Sequence, residues 1–223
     1  IQVYAAQSVP EGLGARMARA FPQPALLWPA TDPFLLLDDF HVPPNASFPE
    51  HPHRGFAILT YIVQGGFAHR ESTGLAVEVR ASRVMHLTGG QGLRHAEYPV
   101  GTDLTRGLPL WVNLPRCKPL PPAAAGAGRR EGGAVQIHTP LTYDALHLEA
   151  GASWETTLPA DGQPVYLLEG QIRLNGRTLR PFHLALVHDE TRRLLLAERP
   201  SHLAWIAGPR QHEPVRFRGP FVD

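Results

Sequence analysis

The sequence predicts an all-β protein made of two successive antiparallel β units. Three observations carry this. Short β-branched or aromatic runs recur at roughly ten-residue intervals between Gly and Pro turns, the rhythm of a sandwich or barrel. The chain of 223 residues holds 21 Gly and 23 Pro, which leaves little room for the amphipathic helices that βαβ units need. A strand ending also recurs: Tyr61-Ile62-Val63-Gln64-Gly65 and Tyr166-Leu167-Leu168-Glu169-Gly170 both read aromatic, two apolar residues, Gln or Glu, then Gly. A duplicated β unit is the economical explanation of that echo.

Taken in order, the first unit has strand-like runs at Leu59–Val63, Val77–Val79, Val84–Leu87 and Leu110–Val112. The turns Gly65-Gly66 and Thr88-Gly89-Gly90-Gln91-Gly92 separate them. From Lys118 to Gly133 the text becomes prolines, alanines and a Gly/Arg mixture with no apolar period, which is linker composition. Strand runs resume at Ala145–Leu148, Val165–Leu168, Leu184–Val187, Leu194–Leu196 and Leu203–Ile206. The expected organisation is a first unit over 1–117, a linker over 118–138 and a second unit over 139–223.

Composition narrows the function classes. With 43% hydrophobic and 18% charged residues and a formal charge of +1, the chain is neither of the disordered type nor a strongly basic nucleic-acid binder. The Arg129-Arg130 pair makes no phosphate-binding patch. One cysteine, Cys117, excludes an internal disulfide framework and a multi-cysteine zinc site. No run approaches the ~20 apolar residues of a spanning helix, and Ile1–Pro10 lacks the layout of a signal peptide. A cytoplasmic protein without membrane or direct nucleic-acid contacts is expected. Twelve histidines make imidazole the residue to follow.

In an extended segment, residues i and i+2 face the same side. His51 and His53, in Pro49-Glu50-His51-Pro52-His53-Arg54-Gly55, can therefore share a cavity. The same spacing aligns His95 and Glu97 in Gly92-Leu93-Arg94-His95-Ala96-Glu97. Brought together, the two pairs would offer three imidazoles and one carboxylate to one ion. That donor set suits Fe(II), Mn(II), Ni, Cu or Zn. His69, beside Arg70 and Glu71, reads as a surface or hydrogen-bonded residue, and His86 as packing. Arg54 adjoins a ligand and is a candidate to orient a carboxylate beside the metal, with a surface salt bridge as the alternative.

This arrangement resembles the cupin double motif, in which His-X-His opens one strand and a further His lies on a later strand across a small barrel. More closely, the chain resembles the pirin family. The residues carrying the match are Asp32 to Phe40, Phe48 to Phe56, Thr60-Tyr61 and His69 to Gly74. Further on come Met85 to Gly92 with His95-Ala96-Glu97, Leu110 to Pro115, and Gly219 to Val222. The resemblance runs from near Gly14 to the end. It implies a bicupin, two tandem jelly-roll barrels, with one metal in the first. The family ligands fall on His51, His53, His95 and Glu97. Counting back from Gly170 as from Gly65 puts Thr156 and Leu158 where His51 and His53 stand. Leu195 and Ala197 take the places of His95 and Glu97, so the second barrel is expected to be empty.

Three departures accompany the resemblance. Ala57 stands where the family commonly has Glu, which alters the expected pocket wall. Pro109 replaces a Gln and suggests an edge or bulge. The join between Pro115 and Thr139 is shorter than is typical. In pirin-like proteins the site is associated with quercetin 2,3-dioxygenase activity, usually with iron, on a flavonol substrate and O2. Glu97 is then expected to serve as ligand and as base for the 3-hydroxyl. The resemblance also implies an alternative of another class, a redox-sensitive regulator that binds a transcription factor or metabolic enzyme.

Overall fold

A computed structural model describes residues 1–115, 139–157, 163–188 and 192–223, together with the backbone of 124–129. Cys117, Lys118, Leu158 and most of the expected linker lie outside the described residues. The first part of the chain forms β1 (Gln2–Ala5), β2 (Gln7–Glu11), β3 (Ala15–Phe21), β4 (Phe34–Val42), β5 (Phe48–His53) and β6 (Phe56–Gln64). There follow β7 (Gly66–Glu71), β8 (Ala76–Arg80), β9 (Arg83–Thr88), β10 (Leu93–Pro99), β11 (Thr105–Asn113) and β12 (Ala124–Arg129). The second part forms β13 (Thr142–Leu148), β14 (Ser153–Thr157), β15 (Gln163–Glu169), β16 (Ile172–Leu174) and β17 (Arg177–Leu179). It ends with β18 (His183–Val187), β19 (Arg192–Ala197), β20 (Ser201–Ala207), β21 (Phe217–Arg218) and β22 (Phe221–Val222). The predicted all-β class holds, and no helix among the described residues is long and apolar enough to cross a membrane.

The strands pair into two sandwiches of the same plan. In the N-terminal unit an outer sheet, β5-β10-β7-β8, covers an inner sheet, β12-β9-β6-β11-β4-β3-β2. In the C-terminal unit the outer sheet β14-β19-β16-β17 covers the inner sheet β1-β18-β15-β20-β13. Outer and inner orders correspond strand for strand, with β3-β2 as an N-terminal extension, so the echo in the sequence marks a real structural repeat. Its halves end β6 and β15. Gly65 (φ 71°) and Gly170 (φ 87°) both turn through left-handed backbone. A Cβ on Gly65 would lie 2.7 Å from Thr105 Oγ1, and one on Gly170 2.2 Å from the Pro200 carbonyl oxygen. Glycine recurs because the turn admits nothing else.

The two inner sheets lie face to face. Leu59, Tyr61, Leu108 and Leu110 from one pack against Tyr166, Leu168, Leu184 and Ile206 from the other. The alternate residues of the same strands face into their own sandwiches: Val165, Leu167, Leu203 and Trp205 in one, Ile62 and Met85 in the other. Strands buried on both faces read as continuous apolar runs, which is why β15 and β20 show no alternation in the sequence. Each such Leu, Val or Phe stabilises the fold by about 1.5–3 kcal/mol. Between the units Arg106 donates to both oxygens of buried Asp39, at 2.9 and 2.7 Å, and to Glu169 Oε1 at 3.0 Å. His202 stacks on His147 (3.9 Å) and meets Tyr61 edge-on at 5.9 Å. The buried Asp39 carboxylate, costly without partners, is satisfied by Arg106 at this interface.

Several local expectations change. The termini are exchanged: β1 hydrogen-bonds to β18 of the C-terminal unit, while Phe221 bridges Arg54 of the N-terminal unit. Within the expected linker, Ala124–Arg129 forms a strand on β9, since the open edge of a sheet offers partners to any extended backbone. Pro109 lies in the middle of a sheet, on β11 between β6 and β4, not at an edge. It pairs with Thr60, and the pairing with β4 passes from Gly107↔Phe40 to Leu110↔Leu37. The interruption absorbs the missing N–H.

Candidate metal centre

The site is built on the inward face of the outer N-terminal sheet. β5 is an edge strand, so Pro49 and Pro52 cost no interior ladder bonds there. β5 and β10 run antiparallel with His51 opposite His95 and His53 opposite Leu93. The register then shifts, and Glu97 faces Phe48. On its other side Glu97 is directly opposite His69 of β7. Alternation thus turns His51, His53, His95, Glu97 and also His69 toward one interior.

The imidazoles are aimed by their partners. His51 Nδ1 donates to the Pro49 carbonyl at 2.7 Å, which leaves the lone pair on Nε2. That Nε2 lies 2.9 Å from His95 Nε2. Two nitrogens at right angles on one ion, with bonds of ~2.1 Å, would be about 3.0 Å apart, so the geometry of this pair fits a shared metal. His53 is 4% exposed and its Nδ1 is buried without a hydrogen-bond partner among the described residues. Its ring is held edge-on by Phe56 and Trp111, both at 5.2 Å.

Among the described residues, ligand atoms of His51, His53 and His95 lie within 4.8 Å of one another, and so do those of His69, His95 and Glu97. Within that separation His51 and His53 join His95, and Glu97 joins His95 and His69. His95 is shared, and Glu97 sits with His69, whose Nδ1 is 3.7 Å from Glu97 Oε1 and 3.5 Å from His95 Nδ1. His69 is 1% exposed, so of the two expected readings, surface or hydrogen-bonded, it is the second that holds. Its inward direction follows from buried Phe67 two residues earlier on the same strand, the one signal that could have found it. His86, by contrast, lies on β9 opposite Leu59, away from this group.

Electrostatics keep His53 and His95 unprotonated at neutral pH. Burial, reinforced by His95 and His51, pulls His53 down to about 3. Burial likewise pulls His95 down to about 4. For Glu97 burial acts upward, but contact with His69 and the potential of His95 and His51 outweigh it, so the carboxyl sits below its ordinary range. Neutral imidazoles and an ionised carboxylate are the protonation states that bind divalent ions.

The group opens on a cavity of about 740 Å3, within the ~300–1,000 Å3 of small-molecule pockets. Leu36, Ile58, Met85, Leu87 and Trp111 of the inner sheet form its opposite wall, and Phe217, Gly219 and Pro220 of the C-terminal tail close one side. Ala57 does not line it; Ile58 and Thr60 do. The expected change of the wall at Ala57 is thus absent, because alternation points that side chain to the other face. Arg54 does not orient a ligand. It donates to Asp223 at 2.6 Å and lies over the Phe221 ring at 5.3 Å, so it clasps the tail.

The C-terminal counterpart is filled. Leu195 faces Trp154, and Thr156 faces Arg193, so the residue opposite Leu195 is two positions before the one reached by counting. Trp154 meets Trp205 edge-on at 4.7 Å, and Leu195 and Ala197 are buried.

Comparison with known proteins adds the relationship. The Pirin family model matches residues 14–112. A pirin-like protein of Solanum lycopersicum is 32% identical over 240 residues, covering 95% of this chain and 82% of its own length. A Pseudomonas aeruginosa protein with the provisional name quercetin 2,3-dioxygenase is 32% identical over 264 residues, covering 100% and 90%. The crystal structure of a bacterial pirin of Escherichia coli in complex with nickel(II) superposes with a TM-score of 0.82 at 16% identity, over 94% of this chain and all of that one. Three histidines beside a carboxylate in the first of two repeated sandwiches, and this level of identity along nearly the whole chain, make the protein a member of the pirin family.

Proposed function

We propose that the protein is a metal-dependent dioxygenase of the quercetin 2,3-dioxygenase type, working on a flavonol-like substrate in its N-terminal unit. The observation that carries the reading is the histidine group at the floor of a substrate-sized, largely apolar cavity. The name of the Pseudomonas aeruginosa relative supports it. In this reading His51, His53 and His95 hold one divalent ion with Glu97, and iron(II) is the ion assigned. Copper, manganese, nickel and zinc suit the same donors, and the nickel(II) complex of the Escherichia coli pirin supports a divalent ion in a protein of this fold.

When bound, the ion supplies open coordination positions and the redox capacity for a chelating hydroxyl and O2. The chain's own residues do the rest. In this reading Glu97 takes the proton of the 3-hydroxyl as well as ligating; its lowered carboxyl pKa and its contact with His69 support the role of base. Trp111, stacked on Phe56 at 4.2 Å, gives a flat wall for an aromatic ring. The tail residues Phe217 and Pro220 narrow access of water. Ring opening with release of carbon monoxide consumes one O2 per flavonol and no external reductant. Aerobic turnover of quercetin by iron- or copper-loaded protein, with carbon monoxide released and the flavonol band bleached, is the expected result. It is lost in Glu97→Ala. Fully metal-loaded protein that neither bleaches quercetin nor releases carbon monoxide overturns the reading.

A further inference from the structure

Strand register divides the cavity wall opposite the histidines into rows. Leu36, Trp111, Ile58 and Leu87 are paired in sequence across β4, β11, β6 and β9, and this row is wholly apolar. Trp111 touches His53 at 5.2 Å, which places the row beside the candidate metal ligands. Two residues along the strands, about 7 Å further, a second row faces the same cavity. There Arg19 pairs with Asp38, and Pro109 pairs with Thr60 and Thr60 with Met85. Arg19, Asp38 and Thr60 all line the cavity.

The chemistry of this second row is specific. Asp38 is 3% exposed, and a buried carboxylate is costly without partners. Arg19 supplies them, donating from Nε to Oδ1 at 2.9 Å and from Nη2 to Oδ2 at 2.7 Å. The same Nη2 donates to Glu11 at 2.8 Å. Two carboxylates against one guanidinium leave the spot with net charge −1. It therefore rejects anionic groups and favours donors. Each Asp38 oxygen accepts one N–H from Arg19 and keeps a lone pair for another donor. Pro109, beside Thr60, has no side-chain donor to compete for it.

We propose that Asp38, held by Arg19, is a second recognition point in the cavity, taking a hydroxyl donor at the end of an aromatic substrate remote from the histidines. This rests on the flavonol reading above and deepens it: the preferred substrate is an elongated polyphenol with a chelating end and a hydroxylated far ring. A cross-strand ion pair with a purely structural role would show no such preference.

The test is equilibrium binding, by titration calorimetry under anaerobic conditions, of metal-loaded protein with quercetin and with galangin, which lacks hydroxyls on the far ring. Native protein is expected to bind quercetin about tenfold or more tightly, as a hydrogen bond to a charged group implies. In Asp38→Asn the two ligands should come within about twofold, with galangin binding unchanged. Pro109→Gln leaves the ion pair intact and offers Asp38 a competing amide, so it should also shrink the preference, even if Asp38→Asn proves unstable. Equal binding of both flavonols to native protein, or a preference that survives both variants, overturns the recognition point. Failure of metal-loaded protein to bind either flavonol overturns the substrate reading and the recognition point with it. A preference without turnover upholds the recognition point and removes only the dioxygenase activity.

Discussion

The two sandwiches share a strand plan and differ in what their outer sheets turn inward. In the N-terminal unit that face carries His51, His53, His95, Glu97 and His69 and leaves a cavity of about 740 Å3. In the C-terminal unit the corresponding face carries Trp154, Leu195, Ala197, Ile172 and Leu174, closed against Val165, Leu167 and Trp205. The features common to both lie elsewhere: the tight glycine at the end of β6 and β15, and Tyr61 and Tyr166 at the interface between the units. Turns and the docking face keep the fold, while one face of one short sheet decides whether a unit binds or only packs. Apolar filling stabilises; desolvated imidazoles lining a cavity do not.

The contrast can be broken most sharply at the histidines. His51→Ala should abolish stoichiometric metal, and elemental analysis of untagged protein checks this; an unchanged metal content would place the ion elsewhere. Next comes the filled unit. Trp205→Ala should destabilise by about 3–5 kcal/mol in denaturant unfolding, as for large buried aromatics, with metal content unaltered. A loss of metal would mean that the units are not independent in this respect. Between these lies His69→Leu, which removes the neighbour of both His95 and Glu97. A fall in metal affinity of about 10–100-fold is expected, as for partners that orient ligands, read by competition with a chromophoric chelator.

Acid should act mainly on the hollow unit. His53 and His95 titrate at about 3 and about 4 in the fold against 6.5 in the open chain. The unfolded chain then binds more protons between these values, so the metal-free protein is fully stable above about 6.5 and weakens as pH falls toward about 3. His202, pulled to about 4 by burial, His147 and Arg106, adds the same trend at the interface. A melting temperature of metal-free His53→Gln that falls less steeply with acid than native protein is the expected signature; equal slopes would contradict it. The smallest effect belongs to Thr156→Val, within about 0.5 kcal/mol and without change in metal content. A larger change in either would show that the count-back position in the filled unit matters.

Much of the site was legible because a strand has a period of two. His51 with His53, and His95 with Glu97, could be set on common faces from local spacing alone. The strand runs and the repeated Tyr-to-Gly ending were legible for the same reason. His69 was not, because a lone histidine beside charged neighbours carries no local mark of the cross-strand partner that buries it. For Arg54 the sequence left open a role beside the metal or a surface salt bridge; the salt bridge is the outcome, with Asp223, 169 residues away. Nor could composition foresee β12, whose Ala/Gly text pairs only because β9 leaves an edge open, or a Pro109 seated in mid-sheet.

The sequence by itself determined the all-β class, the duplication, the inward pairs of candidate ligands and the apolar residues Leu195 and Ala197 at the corresponding places of the second unit, since each is written in residues close along the chain. Only the tertiary structure decided that His95 is shared between two groups, that Glu97 leans toward His69, that the tail closes the first unit and that Asp38 with Arg19 faces the same cavity as the histidines. Those are matters of register between strands far apart in the chain, and register is set by the whole packed sheet rather than by any one strand.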